Sequence, residues 1–138
     1  PHLAKALVKA GHAASVPDAF NSLIGDASQF FVPTDLLEAT EAVQLILASD
    51  GIPVWAHPPR DIVDALLPEL ISSGLRGIEV YRPSHRPNDV MRLEAICNEA
   101  GLLCSGGSDW HTPDAGRSLG DFFVDAVQIE DLLRLGGI

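Results

Sequence analysis

The sequence predicts an α/β fold built from right-handed βαβ units, with a parallel sheet or part of a barrel at its centre. Three short runs, IPVWA (52–56), GIEVY (77–81) and GLLCSGG (101–107), begin about 25 residues apart, the length of a strand plus a returning helix. The stretches between them carry apolar residues at helical spacing. IPVWA is continuously apolar rather than alternating, as a strand buried on both faces requires.

The elements follow in order. Over 1–23, Leu3, Ala6, Leu7 and Ala10 recur at three- and four-residue spacing up to Gly11, which suits a C-terminal cap. Ser15 is the expected N-cap of a second short helix, with Pro17 in its first turn and Ala19, Phe20 and Leu23 turned inward. GDASQFFV (25–32) is an irregular connector. Thr34 then caps a longer helix whose apolar positions Leu37, Val43, Leu45, Ile46 and Leu47 lead to Asp50-Gly51. Residues 1–32 thus form a helical region and connector, and 33–138 the α/β region. In the latter a helix over 61–72 uses Ile62, Val63, Leu66, Leu67 and Leu70 and closes at Gly74. RPSHRP breaks the chain after the second strand, and a helix runs over 88–100. GDFFVDAV (120–127) is a fourth strand, followed by the terminal helix IEDLLRL.

Composition bounds the function. A chain of 138 residues with 46% hydrophobic content suits a single globular domain. No apolar run approaches the roughly 18 residues of a membrane helix, so a soluble, cytoplasmic protein is expected. Nine basic against 19 acidic side chains leave a formal charge of -10, which argues against general nucleic-acid binding but not against a small phosphorylated substrate. Cys97 and Cys104 lack metal-ribbon spacing and sit among apolar neighbours, as buried reduced thiols do. The chain opens on Pro1 rather than Met, the pattern of a piece of something longer.

In parallel α/β folds ligands gather where strands end. His57 follows the first strand, His85 the second by a short loop, and Asp109 with His111 the third. All three clusters fall on one rim. In extended backbone Asp109 and His111 point the same way while Trp110 turns aside. Imidazole nitrogens and a carboxylate on a shared rim suit a divalent cation with open positions. Each piece alone has a plainer reading: Asp109 capping a turn, His57 bonding within its proline turn, His85 exposed on its loop.

In this order and separation, AHP (56–58), GIEVYRPSH (77–85) and GSDWH (107–111) resemble the polymerase-and-histidinol-phosphatase (PHP) family of metal-dependent phosphoesterases. PHLAKALVKAGHAASVPDAF (1–20) resembles the helical insertion of its subgroup acting on nucleoside monophosphates and short oligonucleotides. The resemblance spans nearly the whole chain. It implies the C-terminal part of a distorted (β/α)7 barrel with an N-terminal helical insertion, and divalent cations drawn from manganese, iron, zinc and magnesium. On this likeness His57, Asp109 and His111 are metal ligands, and His85 is catalytic or in contact with the substrate phosphate. The likeness also puts His2 in the substrate-binding set, and the basic residues on the same loops, Arg82 and Arg86 together with Arg60 and Arg117, are candidate phosphate clamps. Loop arginines also commonly form surface salt bridges.

The family opens with an H-x-H pair, and none occurs here. The likeness is to the insertion and the second half of the barrel, so most metal ligands fall outside these residues. An inactive or nearly inactive fragment is expected, with self-association or contact to the missing half through open sheet edges. Glu79, inside its strand, reads as structural or as a support behind the ligands rather than as a replacement ligand, and Asp64, Glu69, Glu130 and Asp131 as solvated helix faces. Two other classes stay open: a non-catalytic assembly or regulatory module, and an amidohydrolase-type metal hydrolase.

Overall fold

In the computed structural model, residues 2–33, 36–111 and 118–137 are described. The chain divides into two compact units, 1–36 and 37–138.

The first unit contains α1 (His2–Lys9), α2 (Val16–Ala19) and a π-helical turn, Phe20–Ile24, that continues α2. Ser15 caps α2 as expected: its hydroxyl accepts the Asp18 N–H at 3.2 Å, and Pro17 occupies the first turn. Burial departs from the expected stripes. Ala4 and Ala19 are the fully buried side chains, while Leu3 and Phe20 are exposed and Leu23 only half-buried. In so short a unit only the methyl-sized residues at the helix contact are enclosed.

The second unit holds α3 (Ala39–Ala48), β1 (Val54–Trp55), α4 (Val63–Ser73), β2 (Gly77–Tyr81), α5 (Pro87–Ala100), β3 (Leu103–Gly106), a 3-10 turn (Ala126–Ile129) and α6 (Glu130–Gly136). Its three strands are parallel in the order β1-β2-β3, with Val54 opposite Gly77 and Gly77 opposite Leu103. The expected βαβ repeat is present. β2 is central, and Ile78 and Val80 are fully buried. They share one cluster with Val63, Leu67 and Leu70 of α4 and with Leu93 and Cys97 of α5. α4 ends at Gly74, which is left-handed at φ 104°. An added Cβ there would come 2.6 Å from Leu47 Cδ1.

Three expectations change. First, α3 starts at Ala39, and the N–H of Glu38 is held by Glu41 Oε2 at 3.3 Å. Thr34, the expected cap, lies outside the described residues. Leu37 precedes the helix; of its apolar residues Val43 is buried, whereas Leu45 and Ile46 are exposed. Second, the 61–72 helix begins at Val63, and Leu66 and Ile62 stay exposed at its edge. Third, 120–127 forms no strand. Phe122 and Val124 pack on the core while Phe123 faces out, an alternation that mimics a strand. Among the described residues no ladder partner meets it, and Asp125, its N–H held by Gln128 Oε1 at 3.0 Å, turns the chain into the 3-10 turn. Among the described residues no helix is long and apolar enough to cross a membrane.

Candidate active site

β1 ends in a sharp turn at His57, whose φ is 36°. Its backbone N–H donates to Glu79 Oε2 at 2.7 Å, so the carboxylate of the neighbouring strand holds the turn. A left-handed non-glycine residue costs about 1–2 kcal/mol, which a charge-assisted hydrogen bond of this kind offsets. The expectation that Glu79 is structural agrees with this contact.

After β2 the loop closes on itself: the His85 N–H donates to Arg82 O at 3.0 Å, and His85 Nδ1 donates to Val80 O at 2.7 Å. A carbonyl only accepts, so Nδ1 carries the proton and Nε2 is the lone-pair nitrogen of the neutral ring. Arg60 braces this loop through Ser84 O at 3.1 Å and Asp89 at 2.7 Å.

β3 leads through Gly106, whose hydrogen atom faces the β2 backbone, into a second left-handed residue, Asp109, at φ 50°. Asp109 and His111 therefore converge through a tight turn and not through strand alternation, a correction to the expected extended geometry. His111 Nδ1 donates to Asp109 O at 2.7 Å. The Asp109 carboxylate pairs with Arg82, with Nη2 to Oδ2 at 2.9 Å.

His57, Arg60, Arg82, His85, Asp109 and His111 line one open depression of about 580 Å3 at the C-terminal ends of the strands. The structure thus gathers the rim residues named from the sequence. Arg86 is exposed and does not line the depression. His2 belongs to the first unit, and Arg117 lies outside the described residues. Reading the sequence missed the Arg82–Asp109 pairing. The only signal available was a charged residue at each strand end.

The donor set is incomplete for a metal. Among the described residues no group of three or more His, Cys, Asp or Glu side chains is placed to hold one ion. Asp109, the expected carboxylate ligand, has one oxygen paired with the Arg82 guanidinium.

No family model matches the chain. It is 38% identical over 77 residues to the phosphoribosyl 1,2-cyclic phosphate 1,2-diphosphodiesterase of Eggerthella lenta, covering 56% of this chain and 29% of that protein. It is 29% identical over 125 residues to the 3′,5′-nucleoside bisphosphate phosphatase of Chromobacterium violaceum, covering 86% and 44%. Against the 5′-3′ exoribonuclease Rnm of Escherichia coli it is 30% identical over 127 residues, covering 86% and 43%. The chain is a relative of the PHP-type metal-dependent phosphoesterases. A crystal structure from Bifidobacterium adolescentis, described as a proposed metal-dependent phosphoesterase, superimposes with a TM-score of 0.79 at 32% identity over 98% of this chain and 49% of that one. A Chromobacterium violaceum structure called an amidohydrolase, with bound sulfate and no metal, gives 0.70 at 26% identity over 87% and 45%. The chain spans less than half the length of each of these relatives.

Proposed function

We propose that these residues form part of a metal-dependent phosphoesterase that hydrolyses small nucleotide-like phosphoesters, such as nucleoside monophosphates or short oligonucleotides. The observation that carries the reading is the convergence of His57, His85, Asp109 and His111 from three consecutive strand ends on one depression. The relatives' names, which refer to a nucleoside bisphosphate, a cyclic phosphate and RNA, supply the substrate class. On this reading the sheet is the second part of a (β/α)7 barrel. His57, Asp109 and His111 contribute donors that the remainder of such a barrel must complete, since the described residues do not close a metal site. When bound, a divalent cation would supply charge stabilisation and an activated water. His85, its Nδ1–H fixed on Val80 O, presents Nε2, which in the doubly protonated ring would donate to a phosphate oxygen or to a leaving oxygen. Arg60, braced by Asp89 and Ser84 O, offers positive charge at the rim. His2, in the first unit, also belongs to the proposed substrate set.

The test compares this 138-residue chain with a form extended to the relatives' length. Both are assayed on a 3′,5′-nucleoside bisphosphate and on a dinucleotide, with manganese and then with excess chelator. Turnover by the long form alone, abolished by chelator and lowered about 100-fold or more by His85→Ala, is expected. Chelator-insensitive or absent hydrolysis by the long form sinks the reading. The name of the second structural neighbour keeps an amidohydrolase reading in view. Hydrolysis of an amide in preference to the phosphoesters would favour it.

A further inference from the structure

Two of the three described non-glycine residues with positive φ, His57 and Asp109, sit on the two turns that carry the proposed metal donors. A series of hydrogen bonds and ion pairs joins them. The His57 N–H is held by Glu79 Oε2 at 2.7 Å, and the same oxygen lies 3.7 Å from Arg82 Nη1. Arg82 Nη2 then reaches Asp109 Oδ2 at 2.9 Å, and Asp109 O accepts from His111 Nδ1 at 2.7 Å. The series crosses the ends of β1, β2 and β3, and its central pair is well enclosed: the Arg82 and Glu79 side chains are 15% and 13% exposed.

We propose that Arg82 is a positioning residue, not a phosphate clamp. Through Glu79 and Asp109 it locks the turn bearing His57 to the turn bearing Asp109 and His111. Its effect on turnover rests on the phosphoesterase reading, but the lock itself does not.

The geometry argues this in three ways. Arg82 Nη2 is hydrogen-bonded to Asp109 and Nη1 lies 3.7 Å from Glu79, so a phosphate gripped by both terminal nitrogens would have to displace the Asp109 carboxylate. Arg82 also lies between two like charges that would repel across the depression without it. Each left-handed residue, finally, is tied to the pair, His57 by its amide and Asp109 by its carboxylate. The third positive-φ residue, Asp50, lies beyond this chain of contacts, at the end of α3.

The lock predicts transmission. Among the described contacts Arg82 meets the His57 amide through Glu79 and not by a direct hydrogen bond, so a change at Arg82 is expected to reach that amide by way of Glu79. The experiment is amide NMR and hydrogen exchange on the 138-residue chain and on its Arg82→Ala, Arg82→Lys and Glu79→Gln variants. The amides of Ile78 and Val80 serve as the fold control. Arg82→Ala is expected to shift and deprotect both the His57 amide and the 109–111 amides while β2 is unchanged. Arg82→Lys should restore the 109–111 signals in part, because it keeps the charge but loses the fork. If Arg82→Ala does not fold, Arg82→Lys and Glu79→Gln decide: loss of His57 protection in Glu79→Gln together with displaced 109–111 amides supports the lock. A His57 amide indifferent to Arg82→Ala, or 109–111 amides indifferent to Glu79→Gln in a folded protein, overturns it. In the long form, Arg82→Ala should lower kcat by about 100-fold with KM unchanged within about threefold. A raised KM with kcat intact would make Arg82 a clamp and overturn the proposal. A wild-type long form that turns nothing over removes the phosphoesterase reading, and the NMR result still decides the lock.

Discussion

Cys97 illustrates how a single enclosed side chain sets a measurable property. Its thiol is 1% exposed, and burial pushes its pKa up to about 12, with the neighbouring Cys104 adding to the rise. Burial and the hydrogen bond from Tyr81 Oη to Glu94 Oε1, 2.7 Å long, raise the Tyr81 phenol in the same direction, and burial raises Cys104. The unfolded chain therefore releases these protons at lower pH than the native one. Between about pH 9 and 12 the native state binds more protons, so stability is fully present below pH 9 and falls as pH rises. Urea midpoints measured across this window should drop, and Cys97→Ala should flatten the drop. A midpoint indifferent to pH up to 11 would contradict the assignment. Both cysteines are free, but only Cys97 is fully buried, so the expectation of two buried thiols is met by one and a half. Gly106 makes a different kind of point. A Cβ there would stand 2.3 Å from Tyr81 O, a backbone atom that cannot step aside. Gly106→Ala should cost about 1–3 kcal/mol in chemical denaturation and disturb the loop leading to Asp109.

Among the elements, β2 was legible to the residue because both its faces are covered and its apolar run has sharp ends at Gly77 and Tyr81. Ile78 at its centre is fully buried. Truncation to Val should cost about 0.5–1.5 kcal/mol and to Ala about 2–5 kcal/mol, with the denaturant slope unchanged. Equal losses for the two would mean that the site collapses freely around the cavity. The 120–127 segment was misread because residue polarity reports which side faces the core and says nothing of whether a ladder partner exists. Phe122 and Val124 keep the alternation without the strand. The same limit applies to the site. His57, His85, Asp109 and His111 could be found because strand ends fix the rim. The left-handed turns at His57 and Asp109 left no trace, since neither residue is glycine. The Arg82–Asp109 pair joins residues 27 apart in the chain, and only the parallel register of β2 and β3 brings them together.

At the scale of the molecule, the second unit carries its own core. The clustered buried residues from Val43 to Cys97 all lie within 37–138. A chain of 37–138 alone is therefore expected to show a cooperative thermal transition and dispersed amide signals. A non-cooperative melt with collapsed dispersion would show that the first unit is required for folding. The overall charge of -10 contrasts with a depression lined by two arginines and three histidines, although Arg82 is paired there with Asp109 and Arg60 with Asp89.

The order β1-β2-β3 in the sheet is also the order of synthesis. Each strand meets its neighbour about two dozen residues later, so pairing can proceed as the ribosome releases the chain, without waiting for the C-terminus. The rim is then laid down in the same direction: His57 first, Arg82 and His85 next, Asp109 and His111 last. Of these three strands, a nascent chain halted after α5 would hold only β1 and β2, with the arginine facing Glu79 and not yet Asp109. The ion pair that closes the rim would be among the last contacts made.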